Sequence, residues 1–237
     1  MAKEETKVGT VNKTFILHGW AYSTEKWNPF ITSLKDNGFD TELLKIPGLT
    51  EKLEAVWDID DYVQWLNRKI GNNKVILIGH SNGGRILLAF ATKYPEKINH
   101  LILMDSAGIY HNELPIKLKR LIFQSLAGIG KKFTKSDSLR KILYKIARES
   151  DYEKAPPFVR QTMINLINFD VTESLTRVKI PTLIIWGEDD KTTPISDGKL
   201  MHRLIKDSKL HIIKSAKHSP QFTHVDEVVN TILKEIK

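Results

Sequence analysis

Cysteine is absent from the 237-residue chain, which excludes disulfides, thiolate metal sites and a cysteine nucleophile together. Long apolar runs are missing too. No stretch reaches the ~20 residues that a membrane-spanning helix needs, and the opening MAKEETKVGT is charged where a secretory signal would carry an apolar segment. His100, His111, His202, His211 and His224 fall into no metal-ligand spacing. Internal repeats and low-complexity segments are lacking as well. These absences lead to the expectation of a cytoplasmic protein without metal or cofactor and without stable membrane insertion. At 41% hydrophobic residues the chain can still bury one sizeable core.

Acidic residues are scarce in one place. Between positions 112 and 148 ten lysines and arginines face only Glu113 and Asp137, a local excess equal to the net +8 of the whole chain. Such an excess attracts anionic ligands, acidic membranes or nucleic acid. No nucleic-acid motif accompanies it, so a solvated helical face is the favoured reading and no nucleic-acid partner is expected.

What is present is alternation. TFILHGW (14–20), FDTELLKI (39–46), KVILIGHS (74–81), INHLILMDS (98–106), TLIIWGE (182–188) and KLHIIKSA (209–216) read as strands. Several are continuously apolar, as strands covered on both faces are. Amphipathic helical patterns lie between them at 25–37, 60–70, 83–94, 196–206 and 225–236. Strict alternation predicts an α/β fold: a mostly parallel sheet of six to seven strands flanked by helices. A further short strand fits at 7–11. The alternation fails once, at about 109–178, where three apolar helical faces follow one another. Leu118, Leu121, Ile122, Leu126 and Ile129 form the first, Leu139, Ile142, Leu143 and Ile146 the second, and Met163, Leu166 and Ile167 the third. This segment is predicted to be an inserted helical lid, with the core formed by 1–108 and 179–237.

Inside the third strand-to-helix junction stands GHSNGG, with Gly79 and Gly83 two positions either side of Ser81 and Gly84 beyond. A strand that turns on the spot into a helix forces its apex toward positive φ and leaves no room for bulk beside it. The pattern is that of a nucleophile elbow. Serine needs a base to take its proton and a third group to hold that base. Both should follow later strands, and they do: Asp189 and Asp190 follow TLIIWGE, and His218 follows KLHIIKSA. An oxyanion donor is expected from the backbone N–H of Asn82, the residue after the serine.

With HGW, GHSNGG, LILMDSAG, WGEDDKTTP and AKHSP in that order, the chain resembles the α/β-hydrolase superfamily, in particular lidded serine carboxylesterases and C–C hydrolases. The resemblance implies a Ser81–His218–Asp190 triad, since the family acid lies three residues after a glycine and four before a proline, as Asp190 lies between Gly187 and Pro194. It assigns the second oxyanion donor to the Trp20 amide, with His18 and Gly19 shaping that turn. Some relatives place their acid where Asp105 stands; the preferred reading of Asp105 is a cap on the segment entering the lid. His80 is expected to be a packed neighbour. The implied activity is hydrolysis of small acyl or aromatic carboxylic esters through an acyl-enzyme, in acid-sensitive fashion because the imidazole must be neutral to accept a proton. Alternatives are cleavage of a C–C bond or a lactone on the same site, or a non-catalytic ligand receptor. Dehalogenase and epoxide hydrolase chemistry is disfavoured, because those relatives carry aspartate at the elbow.

Overall fold

The computed structural model describes residues 12–21, 23–110 and 156–236. Six strands form one sheet: β1 (Asn12–Leu17), β2 (Phe39–Leu43), β3 (Val75–His80), β4 (Ile98–Met104), β5 (Thr182–Gly187) and β6 (Ser208–Ile213). Their order across the sheet is β2-β1-β3-β4-β5-β6, and every pairing is parallel. The helices are α1 (Asn28–Asp36), α2 (Ile59–Ile70), α3 (Asn82–Lys93), α4 (Pro157–Asn168), α5 (Ile195–Leu204), α6 (Pro220–Thr223) and α7 (Val225–Ile236). The fold is the α/β architecture expected from the alternation. Among the described residues no helix is long and apolar enough to cross a membrane.

Period-two alternation sends each strand's side chains to two separate cores. Ile16, Ile76, Ile78, Ile102, Met104, Leu183 and Ile185 pack with Phe30 and Leu34 of α1 and Val228, Val229 and Ile232 of α7. Phe15, Leu17, Leu77, Leu101, Leu103, Ile184 and Trp186 face the other way, onto Leu66 of α2, Leu87 and Phe90 of α3 and Met201 of α5. Burial on both faces explains why β3, fully buried along its length, reads as an unbroken apolar run. The edge strand β6 alternates only weakly and leaves Ile212 exposed.

Local chemistry sets the helix limits. Asp58 caps α2, accepting from the N–H groups of Asp60 and Asp61, while the Asp61 carboxylate accepts from the Asp58 N–H. This reciprocal pair satisfies amides that a helix start leaves orphaned, and Gly71 at φ 62° ends the helix. The single helix expected over 25–37 is a 3₁₀ turn, Glu25–Trp27, followed by α1. Pro29, which has no N–H to donate, sits in the first turn of α1, where that loss is harmless.

The chain reverses direction across the sheet between β1 and β3. From β1 it moves outward through α1 to β2; from β3 it moves the opposite way through α3 to β4. The two following helices therefore lie on opposite faces, and a crevice opens between the carboxyl ends of β1 and β3.

The possible strand at 7–11 and the first two lid faces, with the cationic run, lie outside the described residues. The end of the segment at 109–178 is helical as expected. Its α4 buries Val159, Met163 and Leu166, leaves Ile167 half-buried, and packs with Leu53, Trp57 and Trp20. Two hydrogen bonds tie it to the loop before α2: Trp57 N–H to Thr162 Oγ1 at 2.8 Å and Asn165 Nδ2 to the Trp57 carbonyl at 3.0 Å.

Leu77 is completely buried in β3, whereas Ile212 is 41% exposed on the edge. Leu77→Ala is expected to lower unfolding free energy by about 2–5 kcal/mol. Ile212→Thr is expected to stay within about 0.5 kcal/mol of wild type. Urea titration followed by Trp fluorescence checks both.

Candidate active site

Ser81 stands between β3 and α3 with φ 52° and ψ −120°. A non-glycine residue seldom takes that conformation, and its neighbours hold it there. The Ser81 N–H donates to the Met104 carbonyl at 3.1 Å, and the Ser81 carbonyl accepts from the Ala107 N–H at 2.9 Å and the Gly84 N–H at 3.0 Å. The flanking glycines answer to crowding rather than to their own dihedrals. A Cβ on Gly83 would sit 2.1 Å from the Leu17 carbonyl oxygen, one on Gly79 would meet the Gly84 backbone at 2.7 Å, and one on Gly84 would strike Ser106 Oγ at 2.1 Å. The positive φ thus falls on the serine, and glycine appears where strand, helix and neighbouring loops touch.

Three side chains from three strand ends meet over this turn. His218 Nδ1 lies 2.7 Å from Asp190 Oδ2, and His218 Nε2 lies 3.0 Å from Ser81 Oγ. A carboxylate only accepts, so Nδ1 carries the proton and Nε2 is left to accept from the serine hydroxyl. Asp190 is further held by the N–H groups of Thr192 (2.7 Å) and Thr193 (3.2 Å) and by Thr193 Oγ1 (2.7 Å). Burial works against its charge, yet the bonds from His218, Thr193 and Thr192 outweigh it and keep the carboxyl below its ordinary range. Asp189, the other carboxylate of that loop, is exposed and is not the one bonded to His218.

The histidines around the row are neutral. Burial above all, then the nearness of His218, pushes His80 down to about 3, and its Nε2–H donates to the His218 carbonyl at 2.7 Å. His80 is thus a neighbour, as expected, and it ties the His218 loop to the elbow. Burial likewise lowers His18, whose Nδ1–H donates to the Gly19 carbonyl at 2.7 Å while Nε2 lies 2.9 Å from Thr50 Oγ1. That pair shapes the turn that brings Gly19 against Ser81: a Cβ there would come within 2.9 Å of Ser81 Cβ. Trp20 follows at once and packs, with Trp57 and Phe158, against Leu53, Val159 and Met163, so an apolar aromatic cluster adjoins this loop. His202 is exposed and His224 half-buried, both away from the row, and His211, on the edge strand, pairs with Glu235.

Asp105 departs from its expected role. Instead of capping the following segment, its Oδ1 accepts from the Gly187 N–H at the end of β5, at 2.8 Å, and its carboxyl lies beside Asp190. Thr193 is a second unexpected member of the site; a hydroxyl immediately before the Pro194 marker is its one trace in the sequence. A metal-like set of ligand atoms within 4.8 Å of one another exists at His80, Asp105 and His218. Those side chains are already engaged with the His218 carbonyl, Gly187 N–H, Asp190 and Ser81.

A parallel sheet with helices on both faces, a serine elbow after β3 and an imidazole–carboxylate pair after the last two strands define the α/β-hydrolase class. A family model described as serine aminopeptidase, S33, matches residues 11–223, and the chain belongs to that family. It is 25% identical over 230 residues to the 2-hydroxy-6-oxo-6-phenylhexa-2,4-dienoate hydrolase of Burkholderia cepacia, covering 88% of this chain and 79% of that one. It is 27% identical over 240 residues to the pimeloyl-[acyl-carrier protein] methyl ester esterase of Wigglesworthia glossinidia brevipalpis, covering 91% and 90%. In fold it is similar to a serine hydrolase involved in carbazole degradation, with a TM-score of 0.70 at 21% identity over 95% of this chain and 90% of that one. The chain is an enzyme of the serine-hydrolase kind.

Gly83→Ala is expected to displace α3 from β1 and abolish labelling of the serine by a fluorophosphonate probe, read by mass spectrometry. Asp190→Asn tests the carboxylate through pH. A carboxyl held below its ordinary range stabilises the fold fully above about pH 4, and that contribution is lost as pH falls through the folded value. The stability gap between wild type and Asp190→Asn is expected to be constant above pH 5 and to close in stronger acid, measured by urea titration.

Proposed function

We propose that the enzyme hydrolyses a carbon–carbon bond next to a ketone in a conjugated, acid-bearing substrate of the 2-hydroxy-6-oxodienoate class, using Ser81 as nucleophile, His218 as general base and acid, and Asp190 as the carboxylate that orients the imidazole. The observation that carries the serine-hydrolase mechanism in this reading is the row Asp190–His218–Ser81, closed at 2.7 and 3.0 Å. Ser81 Oγ adds to the ketone carbon while its proton passes to His218 Nε2. The carbonyl oxygen becomes an oxyanion, for which the N–H groups of Asn82, at the start of α3, and Trp20, in the loop after β1, are the donors; removing one such donor typically costs about 2.7–4 kcal/mol. For the carbon–carbon bond to break, the 2-hydroxydiene must first ketonise, its hydroxyl proton leaving and a proton joining the carbon beside the ketone. The electron pair of that bond then passes into the neighbouring unsaturated 2-oxo acid as a dienolate, which takes the proton held on His218 Nε2 and departs, leaving an acyl-enzyme. Water, deprotonated by His218, releases the second acid.

Choosing a carbon–carbon bond over an ester reverses the order expected from sequence. The relatives that support it carry the names of 6-oxodienoate hydrolases and align over 88–92% of this chain. The aromatic side chains of Trp20, Trp57 and Phe158, clustered beside the loop after β1, suit a planar conjugated substrate. Ester hydrolysis remains the second reading, favoured by the likeness to a methyl ester esterase over 90% of that protein's length.

The test is a substrate panel: 2-hydroxy-6-oxo-6-phenylhexa-2,4-dienoate, p-nitrophenyl butyrate and a dicarboxylic methyl ester. The dienoate is expected to give the highest kcat/KM, and Ser81→Ala to lower it by at least about 10³-fold with the fold intact. Turnover of the esters alone would transfer the assignment to the second reading. Undiminished turnover by Ser81→Ala would remove the nucleophile from both.

A further inference from the structure

Behind the Asp190–His218–Ser81 row lies a second carboxyl that the proposed mechanism does not use. Asp105 follows β4 with φ 42°, a left-handed conformation that is uncommon outside glycine and worth a reason. Its residue is fully buried. Oδ1 accepts from the Gly187 N–H at 2.8 Å, which ties the end of β4 to the end of β5. Oδ2 is also buried, and no donor among the described residues reaches it. The carboxyl that acts on it most strongly is that of Asp190. Thr193 bridges the two segments, its Oγ1 lying 2.7 Å from Asp190 Oδ2 and 3.1 Å from the Asp105 carbonyl.

Two ionised carboxylates only accept hydrogen bonds and repel each other, so a buried pair in contact must hold a proton. Asp190 already accepts from His218, Thr192 and Thr193, all of which favour its anion. Asp105 has one amide donor and an empty second oxygen. We propose that Asp105 is a positioning residue: it carries the proton, donates it to Asp190, and so keeps the triad carboxylate singly charged and aimed at His218. This rests on the triad reading above.

The titratable groups around Asp105 are Asp190 from the loop after β5, His218 from the loop after β6 and His80 at the end of β3. Burial first, opposed by the Gly187 N–H, and then the charge and hydrogen bond of Asp190 push Asp105 up to about 8. A raised acid is protonated below that pH and ionises above it. Ionisation would set a second anion against Asp190 and drive it off the His218 Nδ1–H.

The experiment uses full-length protein labelled with ¹³C at aspartate carboxyls, together with the pH dependence of fluorophosphonate labelling. Wild type is expected to show one aspartate carboxyl in its neutral form at pH 7, titrating near pH 8, and Asp105→Asn to lack it. Labelling of wild type is expected to fall as pH rises through about 8. Asp105→Asn, whose amide can donate to Asp190 at every pH, should lose that fall, while Asp105→Ala labels about 10-fold more slowly than Asp105→Asn at pH 7. Ionisation of every aspartate carboxyl at pH 7, or the same alkaline fall in wild type and Asp105→Asn, would overturn the proposal. If Asp105→Asn does not fold, the wild-type carboxyl titration alone decides it. If wild type is not labelled at all, the triad reading fails, and the carboxyl titration still reports on the shared proton.

Discussion

The positive φ of Ser81 is the constraint on which the site depends. It turns the chain out of a fully buried strand and straight into a helix, so the hydroxyl is raised at the sheet rim beside amides that the helix leaves free. The conformation is strained for a serine, and what holds it is close packing. Gly83 lets α3 press against the Leu17 carbonyl, and Gly84 lets it press against Ser106. Any side chain at these positions would push the helix off the sheet, and the hydroxyl would move with it.

The parallel sheet supplies the rest. Its strands all point the same way, so the loops after β1, β3, β4, β5 and β6 gather at one rim, although Ser81 and His218 are 137 residues apart in sequence. The reversal of direction between β1 and β3 opens the crevice where Gly19 meets Ser81. Electrostatics then sort the roles. His18 and His80 are kept neutral by burial and spend their protons on backbone carbonyls. Asp190 keeps its charge because several donors converge on it. One imidazole, that of His218, is left with a nitrogen turned to the serine.

Much of this was legible in sequence because it rests on local rules. Alternating apolar runs gave strands and helices whose limits fall within a few residues of those observed, and the glycine spacing around Ser81 marked the elbow. Asp190 could be separated from Asp189 only through the Gly187 and Pro194 spacing, since both follow the same strand. Asp105 was misjudged as a cap because its partners, Gly187 and Asp190, lie more than 80 positions away; that contact is tertiary and leaves no periodicity. Thr193 lies only three positions from Asp190, but a lone hydroxyl there carries no pattern, and its contact with the Asp105 carbonyl is tertiary. The order of ester and carbon–carbon chemistry was out of reach, because both begin with the same attack on a carbonyl and the elbow is identical for each.

The most direct measurement is a crystal structure of the enzyme after reaction with a phosphonate that mimics the tetrahedral intermediate. The account predicts phosphorus bonded to Ser81 Oγ, its anionic oxygen accepting from the N–H groups of Trp20 and Asn82, and His218 Nε2 within hydrogen-bond distance of the leaving position. A phosphonate seated elsewhere, or an oxygen turned away from both amides with the His218 ring out of reach, would contradict it.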